Sequence, residues 1–359
     1  MVRSREGSAV KVAIRADSSL SLGTGHVMRC LTLANRMAGR GARVAFICRK
    51  DAGHLCDQIE AAGFAVESLP SDFEHTNGAR DAQESYAAVR RLGFEPDLLV
   101  VDHYYLDGQW EHALRSVARR ILVIDDLADR PHDCDVLLDS NLHDSPATRY
   151  AGLVGERTQV FVGPQYALLR PEFDRVPPRI RNAGVGRMLI FFGGADPSHE
   201  ALKVVHALRA IGASVPPAVL VLGPINPDAE EIRRSASALT GVELIGATNE
   251  MARLMADADL ALGTCGGAAW ERCVLGLPAI VVVSAGNQRD DARILHSVGA
   301  VLNLGAADKI TVQGWITAIA HIRDDPDALT AMSRAAQNVM RGRHQAMREF
   351  ENALVENGT

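Results

Sequence analysis

The chain of 359 residues has no stretch approaching 18 consecutive apolar residues, so a membrane-spanning helix is excluded on length alone. Its start, MVRSREGSAVKVAIRAD, carries no apolar core of the secretory kind, and a cytosolic protein is expected. No run of five or more Lys or Arg occurs, and 38 basic against 44 acidic residues leave a net charge of −6. Neither a nucleic-acid groove nor an anionic membrane is therefore the expected partner, whereas a small charged metabolite is compatible. The six cysteines, at 30, 48, 56, 134, 265 and 273, form no C-x-x-C pair, which argues against a zinc knuckle and a disulfide framework. Also missing are a G-x-S-x-G elbow, a Walker A loop and an H-E-x-x-H pair.

What is present is an ordinary globular composition, 47% hydrophobic and 23% charged, long enough for two domains. Short apolar runs alternate with helical stretches: KVAIRAD (11–17), ARVAFIC (42–48), FAVESL (64–69), DLLVVD (97–102) and RILVIDD (120–126). Continuously apolar runs suit parallel strands covered on both faces, and repeated βα units predict a doubly wound sheet. Pro171, Pro177 and Pro178 interrupt the pattern within 171–186, and a second alternation follows from RMLIFFGG (187–194) to PAIVVVS (278–284). The expected organisation is a first Rossmann-like domain over 1–172, a linker over 173–186, a second Rossmann-like domain over 187–325, and a helical tail over 326–359 that could pack back on the first domain. Two such α/β domains are expected to face each other across a cleft.

Chemistry-bearing residues gather at predicted strand exits, where doubly wound sheets bind ligands. In RADSSLSLGTGHVMRCLTLA (15–34) a strand ends at Asp17, Gly23 and Gly25 loosen the loop, and His26 opens a helix. An imidazole there is a candidate general base or acid; the alternative is a residue that only caps or packs the loop. DLLVVDHYYLD (97–107) empties a strand into Asp102, His103, Tyr104 and Tyr105, which can bind sugar hydroxyls, and Asp102 could orient a histidine; for Tyr105 a space-filling role competes. Gly193 and Gly194 precede a predicted helix start at Asp196, a turn that either faces a phosphate or is a simple tight turn. Thr264, Cys265, Gly266 and Gly267 lead from a strand into a helix, where a diphosphate can meet backbone N–H groups without a metal. Glu271 on that helix can accept from both hydroxyls of a ribose. Asn287 and Gln288 suit sugar hydroxyls or simply an N-cap. Cys30, Cys48 and Cys273 read as core residues. Asp257-x-Asp259 and Asp133-x-Asp135 have metal-binding spacing but precede strands, at the sheet end away from the ligand.

GTGHVMRCLTLA, the following DHY, GPQYALLRPEF (163–173), FFGGADP and the block from ELIGATNEM to NQ together resemble the PseG family of UDP-sugar hydrolases, over about residues 11 to 345. The second half is also similar to the glycosyltransferase B superfamily. The resemblance implies two Rossmann-like domains and hydrolysis of UDP-2,4-diacetamido-2,4,6-trideoxy-β-L-altropyranose to UDP and the free sugar, as in pseudaminic acid biosynthesis. It implies that His26 is the catalytic residue and that water attacks the anomeric carbon with inversion. It assigns the ribose to Glu271, the diphosphate to 264–267, the uracil to the backbone near Ile245, and the donor sugar to Asn287 and Gln288. Asp17, Asp102, His103 and Tyr104 are placed beside the sugar or behind the catalytic group. No cofactor and no metal are expected. A UDP-sugar glycosyltransferase and a non-catalytic nucleotide-sugar-binding module are the competing readings.

Overall fold

The continuously apolar runs form parallel strands. The structure, a computed structural model, describes residues 9–72 and 74–355. Residues 1–8, Phe73 and residues 356–359 lie outside the described residues. The described residues divide into two compact units, the first formed by those within 1–141, 145–168 and 344–359 and the second by 142–144 and 169–343.

In the first unit the strands are β1 (Lys11–Ala16), β2 (Arg43–Arg49), β3 (Ala65–Leu69), β4 (Leu98–Asp102), β5 (Arg120–Ile124), β6 (Val136–Asp139) and β7 (Gln159–Val162). They pair in parallel in the order β3-β2-β1-β4-β5-β6-β7. Strand order reverses between β1 and β4, whose register sets Ala16 beside Asp102, so the loops after both strands open at one crevice. Helix Gly25–Gly39 follows β1 and buries Val27, Cys30, Leu31, Leu33, Ala34 and Met37, the i, i+3, i+4 face of an amphipathic helix. It ends where Gly41, at φ 88°, turns the chain into β2. Met347, Phe350 and Leu354 of the tail helix Arg343–Val355 lie in this unit's core.

The second unit carries β8 (Met188–Phe191), β9 (Ala218–Val221), β10 (Val242–Ile245), β11 (Leu260–Thr264), β12 (Ala279–Val283) and β13 (Val301–Ala306), in the order β10-β9-β8-β11-β12-β13, again all parallel. Its switch point lies between β8 and β11, where Phe191 pairs with Gly263. A Cβ on Gly263 would stand 2.5 Å from the Phe191 carbonyl oxygen, so only glycine permits this approach. Residues 173–186, expected as a linker, are counted with the second unit, where buried Arg181 donates to the carbonyls of Met255, Ala258 and Leu275. All six cysteines are buried and free. Among the described residues no helix is long and apolar enough to cross a membrane.

Candidate active site

The first unit assembles a histidine–carboxylate pair at its switch point. Gly23, at φ 75°, turns the loop after β1, and His26 stands in the first turn of the helix that follows. Its Nδ1 lies 2.5 Å from Oδ1 of Asp102, the last residue of β4. The same carboxylate accepts from Arg29, with Nε 2.5 Å from Oδ2 and NH2 2.6 Å from Oδ1. Burial opposes the Asp102 charge, yet Arg29 and His26 hold its carboxyl well below the usual range. An ionised carboxylate only accepts, so Nδ1 of His26 carries a proton in this pair, and the neutral ring held this way has its lone pair on Nε2. The Tyr104 ring packs edge-on against the imidazole at 4.4 Å. Tyr105, by contrast, is exposed. Gly25 leaves open space where a Cβ would stand.

Asp17 and His103, read from sequence as sugar-side or supporting groups, face each other. Asp17 is buried, with Oδ1 2.6 Å and Oδ2 2.7 Å from the Arg15 guanidinium, and Oδ1 also accepts from the Arg49 backbone N–H. Burial works against its charge, but Arg15 with the imidazoles of His103 and His75 holds it well below the usual range. Arg15 and Arg49 also engage buried Asp81, completing a four-membered charge cluster. His103 turns Nε2 to Asp17 at 3.4 Å and is itself buried.

In the second unit the loop after β11 and the turn after β12 adjoin: Gln288 Nε2 is 3.6 Å from where a Cβ on Gly266 would be. Gln288 folds its Oε1 onto the Ser284 N–H and hydroxyl, while Asn287 is exposed. Gly267 precedes helix Ala268–Val274, which presents Glu271. Arg272, buried, donates to the Thr264 carbonyl and shapes the loop. Cys265 turns its thiol into the core, where burial pushes it up to about 12, leaving only its backbone for a ligand. Glu271 makes a forked pair with Arg170, 2.9 and 3.1 Å. Ile245 ends β10 with its carbonyl already taken by the Leu222 N–H. Gly193 and Gly194 stand at the exit of β8, and a Cβ on Gly223 would collide with their carbonyl oxygens. The helix that follows, Glu200–Ile211, has its first N–H groups taken by its own Asp196, which accepts from Glu200 and Ala201 at 3.0 and 2.8 Å. The turn 193–196 therefore offers a phosphate no free helix end, because the capping carboxylate fills it.

Among the described residues one trio has donor atoms grouped as a metal would need, Asp17, His75 and His103, within 4.8 Å of one another. Its chemistry does not suit a cation. The Tyr105 N–H donates to Nδ1 of His103, which leaves the ring proton on Nε2, and the guanidiniums of Arg15 and Arg49 already flank Asp17. Asp257 and Asp259 sit before β11, where Asp259 accepts from the backbone of Gly186 and Arg187 and from Arg179, and Asp135 accepts from Arg115 and the Ile121 N–H. Arg29 and Arg170 went unassigned from sequence. Arg29 was detectable, since i, i+3 spacing puts it on the His26 face of one helix; Arg170 lies 101 positions from Glu271, and no local pattern links them.

Residues 188–348 match the model of the glycosyltransferase family 28 C-terminal domain. An uncharacterised protein of Methanocaldococcus jannaschii is 25% identical over 78% of this chain, which spans just over half, 57%, of that relative. The UDP-2,4-diacetamido-2,4,6-trideoxy-beta-L-altropyranose hydrolase of Campylobacter jejuni is 28% identical over 68% of this chain and 81% of its own length. Among solved structures, MurG of Acinetobacter baumannii superposes with a TM-score of 0.64 at 15% identity, over 96% of this chain and 99% of that one, a likeness of fold.

Proposed function

We propose that this chain, a PseG-like member of the glycosyltransferase B superfamily, is a UDP-sugar hydrolase that releases UDP by inverting attack of water at the anomeric carbon, with UDP-2,4-diacetamido-2,4,6-trideoxy-β-L-altropyranose as substrate and pseudaminic acid biosynthesis as its setting. The observation that carries the reading is the His26–Asp102 pair. With Nδ1–H given to Asp102, Nε2 of His26 takes a proton from water as the oxygen bonds to C1, and Asp102 stabilises the imidazolium that forms. The electron pair of the breaking C1–O bond leaves with the UDP β-phosphate. Such a leaving group needs little acid assistance, so a second catalytic carboxylate at glycosidase spacing is not required.

In the second unit, the backbone of 264–267 takes the diphosphate, Glu271 the ribose hydroxyls, the backbone near Ile245 the uracil, and Asn287 with Gln288 the sugar. Gly266 and Gly267 allow close backbone approach, and N–H groups aimed at developing diphosphate charge do the work a metal does elsewhere. Tyr104, edge-on to the imidazole, holds the ring's orientation.

Reaction in water enriched in oxygen-18 tests this chemistry. The reading requires the label on C1 of the released sugar and none in UDP; label in a phosphate product would mean P–O cleavage and refute it. The family 28 domain and the MurG-like fold favour a second reading, transfer, in which the same base takes the proton of an acceptor hydroxyl.

A further inference from the structure

We infer that Arg170 is a positioning residue for nucleotide recognition, holding the Glu271 carboxylate ionised and turned so that it can accept both hydroxyls of a ribose. The inference rests on the reading that Glu271 takes the ribose, and it gives a role to the segment GPQYALLRPEF, which the hydrolysis chemistry leaves unexplained.

The geometry is a fork on a fork. Arg170 Nε lies 2.9 Å from Oε1 and NH2 3.1 Å from Oε2 of Glu271, so each oxygen gives one lone pair to the guanidinium and retains another. Two oxygens held in one plane with one free lone pair apiece match a cis-diol, which presents two hydroxyl donors side by side. Arg170 is itself constrained. It precedes the turn Pro171–Asp174 with extended backbone at φ −54° and ψ 144°, its guanidinium lies 5.2 Å from the centre of the Phe173 ring, and NH1 is 3.2 Å from Glu172.

Without that partner the carboxylate would be poorly placed to stay charged. Its side chain is only 12% exposed, and burial pushes the Glu271 carboxyl above its ordinary value, opposed by Arg170 and more weakly by Arg272. Arg272 cannot replace the fork, because its NH2 is committed to the Thr264 carbonyl. Glu172, on the other side of Arg170, draws on the same guanidinium through NH1 at 3.2 Å. A protonated Glu271 has a donor where a ribose hydroxyl must donate, so it binds the diol poorly.

The test is titration of UDP and of 2′-deoxy-UDP into wild type, Arg170→Ala, Arg170→Lys and Glu271→Gln between pH 5 and 8, with circular dichroism confirming the fold of each. Expected for Arg170→Ala is a 10- to 50-fold loss of UDP affinity at pH 7, on the order of a lost charge-assisted fork. Relative to wild type at the same pH, a ratio from which titration of UDP itself cancels, that loss deepens towards pH 5, and preference for UDP over 2′-deoxy-UDP collapses. Arg170→Lys, which keeps the charge and loses the fork, keeps the pH profile and loses the preference. A folded Arg170→Ala or Arg170→Lys protein with wild-type affinity, pH profile and preference, beside a weakened Glu271→Gln, overturns the inference alone. Unchanged UDP affinity in Glu271→Gln overturns the ribose reading and the inference with it.

Discussion

Replacing Asp102 by Asn removes one charge and almost no volume, which isolates the electrostatic part of the proposed mechanism. The carboxylate is fully buried and serves three nitrogen donors, His26 Nδ1 at 2.5 Å and Arg29 Nε and NH2 at 2.5 and 2.6 Å, besides the Cys30 thiol at 3.6 Å. An amide can present an oxygen at only one of the two carboxylate positions, so in either orientation its NH2 meets a donor. At the 2.5 Å separation and an effective dielectric of about 20, the Asp102 charge stabilises a protonated His26 by no more than roughly 7 kcal/mol, a ceiling set by Coulomb's law. A positioned acid or base contributes about 10²–10⁴-fold, some 3–5 kcal/mol, which falls below that ceiling. We expect Asp102→Asn, like His26→Ala, to lower kcat by about 10²–10⁴-fold, with UDP affinity within about twofold of wild type because the nucleotide residues belong to the other unit. The double variant should be no slower than the worse single one, since the two residues act as one device. Breaking a buried pair typically costs about 3–5 kcal/mol of stability, and here less, because Arg29 is 22% exposed and keeps Asp126 at 3.4 Å. The assay is UDP release at 25 °C with excess UDP-sugar, beside calorimetric titration of UDP and a melting curve for each variant. Near wild-type turnover in a folded Asp102→Asn protein would refute the reasoning.

Glu271→Ala should weaken UDP and substrate together, by about 1–3 kcal/mol, since it removes the acceptor of two hydroxyls and leaves Arg170 only Glu172; a UDP titration with unchanged affinity contradicts the ribose assignment. The buried cluster of Arg15, Arg49, Asp17 and Asp81 should be felt in acid. Burial opposes the Asp81 charge, but Arg15 pulls its carboxyl down to about 2 in the folded chain. A depressed folded value means that the stability Asp81 contributes is whole above the unfolded value near 4 and is lost as pH falls through about 2; at 1.4 kcal/mol per pH unit it amounts to about 2 kcal/mol. Urea unfolding of wild type and Asp81→Asn should show a gap that narrows from pH 6 to pH 2.5, and a gap independent of pH counts against the cluster. Chelation should leave turnover unchanged, because the proposed diphosphate loop 264–267 offers Thr, Cys and Gly with no carboxylate; a rate that falls in EDTA and returns with Mg²⁺ or Mn²⁺ would move the account to metal-assisted cleavage.

The doubly wound architecture was legible because buried parallel strands write themselves as unbroken apolar runs, as LLVVD in β4 and AIVVV in β12 do. Two of the edge strands, β7 and β13, were harder to see. β7, QVFV, is exposed at its first two positions, and β13, VLNLGA, breaks its apolar run with Asn303 and Gly305, so neither carries the signal of a strand covered on both faces. Strand exits marked the neighbourhoods of His26, Asp102 and Glu271, since period and glycine placement locate the end of a strand. The pairings at those exits were not legible: Asp17 reads as the last residue of a strand opening on a ligand, and the sequence does not show that Arg15, two positions back, closes on it just past the end of β1. Asp196 likewise reads as the edge of a phosphate turn, and only the coordinates show its carboxylate spent on the helix it precedes. Side-chain partners brought together by sheet order rather than by spacing leave no trace in one sequence.

The central claim is that water alone completes the reaction, and the most direct measurement is acceptor-free turnover. The purified chain is incubated with UDP-2,4-diacetamido-2,4,6-trideoxy-β-L-altropyranose, and UDP and sugar are followed together by proton NMR from the first minutes. The account predicts equimolar UDP and free sugar, the sugar first appearing as the anomer opposite to that in the substrate, with His26→Ala slower by about 10²–10⁴-fold. UDP released only when an acceptor alcohol is supplied, or a sugar that first appears with retained configuration, would contradict it.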